Sequence, residues 1–344
     1  MSETMNAVVM HAPGGPDVLK LEQRPIPQPD ATEVLIKVHA FGLNRSELFT
    51  RQGHSPGVRF PRILGIEAVG TVAEAPGDQF EPGQVVTTVM GGMGRDFDGS
   101  YAEYTVVPAA QIRSLRTTLP WRILGALPEM LQTAWGALHR GLRWTPGQKL
   151  LIRGGTTSIG LAIIAIARAQ GAEVGATSRS AEAESIVKAL GATHFFLDDG
   201  AIAGKIREVW SGGADKVLEL VGTTTLADSL QATKESGAVC MAGMVGDQWS
   251  LAQFAPMDVI PTGVSLTTYS GGVSDFMAMP LQTLVEQVEA GMLSIRLGPV
   301  FQIDEVPLAH TIMEQTSARG KFVVLTPSGS LADTQRESCR HLPP

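Results

Sequence analysis

The apolar positions divide the chain into two parts of different texture. From Met5 to about Leu119 they occur in short, partly alternating runs separated by many Gly and Pro residues. From Trp121 onward, apolar residues at helical spacing alternate with short continuous apolar runs. The first pattern predicts strands, and the second predicts helices and strands in alternation. We therefore expect a mostly β domain followed by a doubly wound parallel sheet, an α/β fold.

The alternating pattern ends near residue 272, and the elements after it are expected to return to the first domain. They are one helix and two strands: Leu281–Gly291, Val300–Ile303 and Lys321–Leu325. A chain of 344 residues exceeds the ~250–300 residues at which single cores stop growing, so two domains are expected. Their predicted ranges are residues 1–122 with 273–326, and residues 123–272. The polar segment 327–344 is predicted to be a flexible tail.

One unit of the second domain carries the strongest functional signal. An apolar strand-like run at Lys149–Ile152 is followed by the turn GGTTSIG, a helix at Ile159–Ala169 and a second strand at Val174–Thr177. Glycines permit a tight turn, and the first helical turn offers unpaired N–H groups to a phosphate. The motif is looser than G-x-G-x-x-G, so by itself it also fits an ordinary turn. In a dinucleotide-binding unit the expected pyrophosphate contacts are Thr157, Ser158 and Ile159.

The end of the second strand indicates which dinucleotide is bound. A unit that prefers NAD places an acidic residue there to hold the ribose hydroxyls. This chain has Ser178 and Arg179, whose hydroxyl and guanidinium suit a 2′-phosphate. We therefore expect NADPH as the cofactor. The alternative is that Arg179 is a solvated loop charge.

Charge and cysteine content exclude several classes of function. The formal net charge of −7 gives no electrostatic reason to bind nucleic acid or an anionic membrane. The N-terminal residues lack a signal-peptide pattern, and no apolar run is long enough to cross a bilayer. Cys240 and Cys339 are too few for a disulfide framework or a cysteine-based zinc site. A cytoplasmic location is expected.

Seven segments in order resemble the zinc-independent branch of the medium-chain dehydrogenase/reductase superfamily, specifically NADPH-dependent quinone oxidoreductases. The matching segments are GLNRSELFTRQG, PRILGIEAVGTV, GSYAEYTVVP, LQTAWGAL, the glycine turn with its helix, LELVG and GKFVVL. The resemblance extends to about Leu325. It implies a GroES-like β domain, a Rossmann domain, an active-site cleft between them and a homodimer. It also implies hydride transfer from NADPH to a small-molecule substrate, either a quinone or the C=C bond of an α,β-unsaturated carbonyl compound.

The resemblance also carries a negative expectation. Zinc-dependent members of the superfamily hold the catalytic metal with a Cys, a His and a second Cys. The matching positions here carry Asn44, Ile66 and Glu129. One carboxylate cannot replace three ligands, so no metal is expected.

Hydride delivery to these substrates creates an oxyanion, which needs hydrogen-bond donors and a proton. From the resemblance, Asn44 and Thr133 are expected near the nicotinamide ribose and the substrate oxygen, although each also fits a helix-capping or first-turn role. Arg51 could attract the substrate oxygen, or pair with Glu47 one helical turn earlier.

Phe49 departs from the family pattern. Several relatives have a tyrosine at this position, whose phenol can donate a proton, whereas phenylalanine cannot. The proton then comes from water or from another residue, or the substrate needs none. We expect Phe49, His54 and Phe60 to line the substrate pocket.

Further cofactor contacts are expected where strands of the parallel sheet end, and one near the C-terminus. They are Val221, Gly243, Met244, Tyr269, Ser270 and Lys321. A lysine that opens a strand is usually solvated, so Lys321 has an ordinary alternative.

Two other functions stay open. One is a specialised biosynthetic enzyme on the same fold, either a trans-acting enoyl reductase or a non-redox cyclase or isomerase. The other is a non-catalytic NADPH-binding sensor or structural protein. No G-x-S-x-G motif occurs, so a serine hydrolase has no support.

Overall fold

The protein is described by a computed structural model covering residues 3–315 and 319–340, the side chains of 336–340 excepted. These residues form two compact units. The first contains the described residues of 1–129, 272–289 and 297–344, and the second contains residues 130–271 and 290–296. The sequence placed the first boundary at residue 122, whereas the structure groups residues through 129 with the first unit.

The N-terminal part of the first unit is a set of antiparallel strands with two short helices. Its elements are β1 (Thr4–Met10), β2 (Leu19–Pro25), β3 (Glu33–Gly42), α1 (Arg45–Arg51), β4 (Arg62–Ile63), β5 (Glu67–Glu74), β6 (Val85–Val89), β7 (Tyr104–Pro108), β8 (Ile112–Ser114) and α2 (Trp121–Leu124). The central strand β3 pairs with β5 and with β7. Its apolar side chains, among them Ile36 and Phe41, are fully buried in the main core of this unit.

The second unit is built on a six-stranded sheet in which all pairs are parallel. Its elements are α3 (Pro128–Gly136, continued by a π-helical turn at Ala137–Gly141), β9 (Lys149–Arg153), α4 (Ser158–Ala169), β10 (Glu173–Ser178), α5 (Glu184–Ala189), β11 (His194–Leu197), α6 (Ala203–Val209), β12 (Ala214–Glu219), α7 (Thr223–Gln231), β13 (Thr233–Met241), α8 (Pro256–Val259) and β14 (Ser265–Thr268). The strand order is β11-β10-β9-β12-β13-β14. Because the order reverses beside β9, the glycine turn after β9 lies at the switch point where such sheets bind ligands.

The remaining elements complete the first unit. They are α9 (Val273–Ala278), α10 (Leu281–Glu289), β15 (Leu297–Gln302), α11 (Val306–Gln315), β16 (Lys321–Leu325) and α12 (Pro327–Arg340). Strand β16 pairs with β3, so the C-terminal segment extends the antiparallel sheet. The sequence prediction of a mostly β domain followed by a doubly wound parallel sheet is confirmed. Helix α11 and strand β2 had not been predicted.

The predicted flexible tail is wrong for the first residues after 326, which form α12. Pro327 is the first helical residue, a position at which proline is tolerated because that N–H has no helical partner. The buried carboxylate of Asp333 accepts hydrogen bonds from the backbone N–H groups of Trp121 (2.6 Å) and Arg122 (3.0 Å), the first residues of α2. The polar composition of this segment suggested a flexible tail. Its contact with a helix more than 200 residues earlier, made by the Asp333 carboxylate, has no local sequence signal.

Candidate active site

Asn44, a predicted site residue, and Glu129, at a metal-ligand position, lie in a buried polar cluster of the first unit, which we call the Lys321 cluster. Its members are Asn44, Glu47, Glu67, Glu129 and Lys321. Asn44 is the N-cap of α1, Glu67 is the first residue of β5 and Lys321 is the first residue of β16. The Lys321 side chain is 1% exposed and that of Glu67 is fully buried. A fully buried ion pair persists only when its hydrogen bonds are satisfied, and here they are.

The Lys321 ammonium has three acceptors. It lies 2.8 Å from Glu67 Oε1 and 3.2 Å from Glu129 Oε2, and it donates to Asn44 Oδ1. An ammonium has three N–H donors, so all of them are used. Burial alone would lower the pKa of Lys321, but the carboxylates of Glu67 and Glu129 raise it above its ordinary value. The lysine therefore stays charged, and the ordinary alternative of a solvated strand lysine is wrong.

The amide of Asn44 is held at both ends. Its Nδ2 lies 3.0 Å from Glu67 Oε1 and 3.3 Å from Glu47 Oε1, while its Oδ1 accepts from Lys321. Both Nδ2 hydrogens are thus directed into the cluster, and one acceptor lone pair of Oδ1 is left. Asn44 is therefore suited to accept a hydrogen bond from a ligand hydroxyl, and it is not suited to donate one.

Two opposing effects act on the pKa of the Glu47 carboxyl group. Its carboxylate accepts from the backbone N–H of Asn44 (3.1 Å) and of Ile66 (3.0 Å), which favours the charged form. Burial opposes this more strongly and, with the nearby charge of Glu67, raises the pKa of Glu47 to about 7. Glu47 therefore titrates close to neutral pH.

A close approach at Gly42 makes room for the cluster. A Cβ atom at this position would lie 2.3 Å from Glu67 Oε1 and 2.5 Å from Lys321 Cε. Only glycine fits there without displacing the ion pair.

The three positions that hold zinc in other members of the superfamily do not fit a metal here. Ile66 offers an aliphatic side chain, and the oxygens of Asn44 and Glu129 are bound to the Lys321 ammonium. Within the described ranges no group of three or more His, Cys, Asp or Glu residues could hold a metal ion. The cation of this cluster is the lysine itself.

Arg51 does not take the position expected for a catalytic residue. Its side chain is fully buried, and its guanidinium donates to Glu314 and to the carbonyl oxygen of Gly14 (2.6 Å). It pairs with Glu314 of α11, whereas Glu47 is engaged in the Lys321 cluster. Arg51 ties α1 to a later helix, and we assign it no contact with a substrate.

The predicted pocket residues lie partly together. Phe49 is 7% exposed on α1, and its ring centroid is 6.5 Å from that of the exposed His54. Phe60 is half-buried against the main core of the unit.

The buried Tyr101 phenol, 3.0 Å from His310 Nε2, was missed by the sequence reasoning. Burial raises the pKa of Tyr101 well above its usual value and lowers that of His310 to about 3, so both stay neutral.

The glycine turn of the second unit has the geometry of an anion-binding loop. Thr157 is the N-cap of α4: its Oγ1 accepts from Gly160 N at 3.0 Å and donates to the Gly154 carbonyl at 2.9 Å. Gly154 has a φ of +83°, which favours glycine. The N–H groups of Ser158 and Ile159 begin the helix and have no acceptor in the described residues. Two N–H groups thus point out of the helix start beside the switch point.

Behind the turn lies an arginine that the sequence reasoning missed. Arg153 is fully buried and donates from Nε and Nη2 to Asp198 (3.0 and 2.8 Å) and from Nη1 to Asp228 (2.6 Å). Asp198 also accepts from Thr177 Oγ1 (3.0 Å), which accepts from Gly154 N (3.1 Å). Arg153 therefore fixes the position of the glycine turn through Asp198 and Thr177. Its place in the sequence, directly before two glycines, gave no sign of this role.

The other predicted cofactor residues of this unit follow the carboxyl ends of the parallel strands. Arg179 is exposed after β10 and makes no ion pair or hydrogen bond within the described residues. Ser178 Oγ accepts from Ser180 N at 3.3 Å. Thr133 lies on α3 and is 9% exposed. The rest follow β12, β13 and β14 and are partly or fully exposed: Val221, Gly243, Met244, Tyr269 and Ser270.

Comparison with known proteins identifies the class of the chain. Residues 30–117 match the alcohol dehydrogenase GroES-like domain, and residues 158–286 match the zinc-binding dehydrogenase family. A GroES-like domain joined to a dinucleotide-binding parallel sheet defines a medium-chain dehydrogenase/reductase. The second match does not include residues 44, 66 and 129, so its name carries no information on the metal positions.

Individual relatives narrow the class. The chain is 30% identical over 332 residues to quinone oxidoreductase of Sus scrofa, covering 93% of this chain and 98% of the relative. It is 27% identical over 271 residues to acryloyl-coenzyme A reductase of Sulfurisphaera tokodaii, covering 70% and 77%. The structure of the quinone oxidoreductase from Coxiella burnetii is 26% identical with a TM-score of 0.80, covering 94% and 99%. The chain belongs to the zinc-independent quinone oxidoreductase family and is an oxidoreductase.

Within the described ranges, none of the helices has both the length and the apolar character needed to span a membrane.

Proposed function

We propose that the protein transfers a hydride from NADPH to a quinone, or to the C=C bond of an α,β-unsaturated carbonyl compound, without a metal ion. The observation that carries the proposal is the Lys321 cluster, in which a buried ammonium uses the oxygens of Asn44 and Glu129 at positions that bind zinc elsewhere in the superfamily. A quinone and an α,β-unsaturated carbonyl compound both accept a hydride directly. Neither reaction involves an alcohol that a metal would have to activate first. The relatives named quinone oxidoreductase and acryloyl-coenzyme A reductase support these two classes.

The second unit supports NADPH as the hydride donor. The N–H groups of Ser158 and Ile159, which have no acceptor in the described part of the chain, suit a pyrophosphate, and the exposed guanidinium of Arg179, unpaired in that same part, suits a 2′-phosphate. Asp198, which follows β11, is committed to Arg153 and does not compete for ribose hydroxyls. When bound, NADPH would supply the hydride and leave as NADP⁺.

The chain's own residues have separate proposed roles. Asn44 offers its remaining Oδ1 lone pair to a ligand hydroxyl, and Thr133 on α3 offers its hydroxyl to the cofactor. The net negative charge of the Lys321 cluster argues against placing the substrate oxyanion on it. Because Phe49 has no proton to give, water protonates the oxyanion after hydride addition.

The test is consumption of NADPH by the purified protein with a panel of quinones and enones, coupled to formation of the reduced product. Loss of the reduced-nicotinamide absorbance in step with product supports the proposal. Product formation that needs no reduced nucleotide would point to a cyclase or isomerase. Tight NADPH binding without turnover across the panel would point to a sensor or structural protein.

We also propose a homodimer. Strand β14 forms one edge of the parallel sheet and pairs only with β13 in the described residues. The segment before it exposes Trp249 (56%) and Met257 (95%), large apolar side chains that a second copy could cover. Light scattering of the purified protein would test this, and a monomeric mass at micromolar concentration would contradict it.

A further inference from the structure

A glycine-rich loop, residues 90–99, lies directly on the segment between β4 and β5, which contains the metal-position residue Ile66. A Cβ on Gly94 would be 2.7 Å from the carbonyl oxygen of Gly65, and a Cβ on Gly99 would be 2.2 Å from the same atom. Gly94 also has a φ of +74°. The loop is therefore fixed against the backbone immediately before Ile66, whose N–H donates to Glu47 of the Lys321 cluster.

Arg95 extends from this loop to α1. Its Nη2 donates to Ser46 Oγ, and Ser46 is two residues after Asn44. The Arg95 side chain thus begins next to Gly94, which packs on Gly65, and ends at the first turn of α1, the helix that Asn44 caps. The residue is exposed, so its guanidinium is accessible to a ligand.

The guanidinium of Arg95 has no counter-charge among the residues that the structure describes. Its single hydrogen-bond partner is the neutral Ser46 hydroxyl, and no carboxylate of the described residues forms an ion pair with it. The nearby Asp98 instead pairs with Arg62 at 2.8 Å. Four of the five N–H donors of Arg95 therefore remain for a ligand. A planar fork of donors matches a carboxylate or a phosphate, which can accept two of them at once.

We propose that Arg95 binds an anionic oxygen substituent of the substrate, a carboxylate or a phosphate, remote from the bond that is reduced. The proposal rests on the proposed function and narrows it: the preferred acceptors are quinones or enones that carry such a group. The competing explanation is that Arg95 only anchors its loop through Ser46.

The experiment compares matched acceptors that differ in charge. One pair is 1,4-naphthoquinone and the same ring with a propionate side chain. The other is the crotonyl thioester of N-acetylcysteamine, which is neutral, and that of coenzyme A, which carries phosphates. For each pair the ratio of kcat/KM, charged over neutral, is measured in the wild type, Arg95→Gln, Arg95→Lys and the control Ser46→Ala. Calorimetric titration of the same acceptors gives the ratio of Kd without turnover.

We expect the wild type to prefer the charged member of at least one pair. Arg95→Gln should lower that ratio about tenfold to a hundredfold, the range for a lost charge-assisted contact. Arg95→Lys should retain part of it, and Ser46→Ala should retain most of it. If Arg95→Gln lowers the charged-over-neutral ratio of kcat/KM in the quinone pair, the ligand is a carboxylate. If it lowers that ratio in the thioester pair, the ligand is a phosphate.

Three results would overturn the proposal. They are a wild type with no preference in either pair, equal losses for both members in Arg95→Gln and Ser46→Ala, and a rise in KM for NADPH alone. The last would mean that Arg95 serves the cofactor. If no acceptor consumes NADPH, the proposed function fails, and the calorimetric ratios still decide the role of Arg95.

Discussion

The ammonium of Lys321 lies 2.8 Å from Glu67 Oε1, and both side chains are almost completely buried. Strand β16 places the lysine beside β3, and β5 brings the glutamate to the same place from the other side of β3. The pair holds the amide of Asn44 in one orientation. A single long-range ion pair therefore decides which atom of Asn44 is available to a ligand.

Removing the lysine charge should be strongly destabilising. Lys321→Met leaves Glu67 and Glu129 without their cation, and loss of one partner of a buried pair costs about 3–5 kcal/mol. Chemical denaturation followed by circular dichroism measures the change. The double variant Lys321→Met with Glu67→Gln should recover a substantial part of the loss. Equal stability of the single variant and the wild type would show that the pair is not buried as described.

Glu47 should make stability depend on pH. Its pKa is about 7 in the folded protein, above the ordinary value of 4.5. The stabilising contribution of Glu47 to the free energy of unfolding is therefore fully present below pH 4.5 and is lost as the pH rises through about 7. Glu47→Gln cannot ionise, so the free energy of unfolding of the variant relative to the wild type should rise by about 1–3 kcal/mol between pH 5 and pH 8. A pH-independent difference would contradict the raised pKa.

Gly42 and Gly204 allow the same substitution to be tested at a crowded position and at an open one. A Cβ at Gly42 would collide with Glu67 and Lys321, whereas a Cβ at Gly204, in helix α6, meets no atom within 4 Å. Gly42→Ala should destabilise by about 1–3 kcal/mol through overpacking. Gly204→Ala should stabilise by up to about 1 kcal/mol because alanine favours a helix. Thermal unfolding of both variants checks the prediction, and similar shifts in Tm would mean that Gly42 has no steric role.

Arg179 should determine the choice of coenzyme. It is exposed and unpaired within the described residues, so its removal breaks no internal contact. Arg179→Gln should lower the ratio of kcat/KM for NADPH over NADH about tenfold or more, because a charge-assisted contact with the 2′-phosphate is lost. An unchanged ratio would leave Arg179 as a solvated loop charge.

Local patterns predicted the second unit well. The strand, turn, helix and strand around GGTTSIG lie within one residue of their predicted bounds, because periodicity and glycine positions act over a few residues. The candidate site depends on distant partners. Asn44 and Lys321 are 277 residues apart, and Arg51 and Glu314 are 263 residues apart. Helical spacing suggested Glu47 as the partner of Arg51, since a single sequence contains no signal for such long-range pairing.

Metal analysis of the active protein decides whether hydride transfer proceeds without zinc. The purified protein is exhaustively treated with a chelator, its zinc content is measured, and NADPH-dependent reduction of a quinone is assayed before and after treatment. We expect no stoichiometric zinc and an unchanged turnover number, since the ammonium of Lys321 is the cation of the cluster. Stoichiometric zinc whose removal abolishes turnover would contradict it.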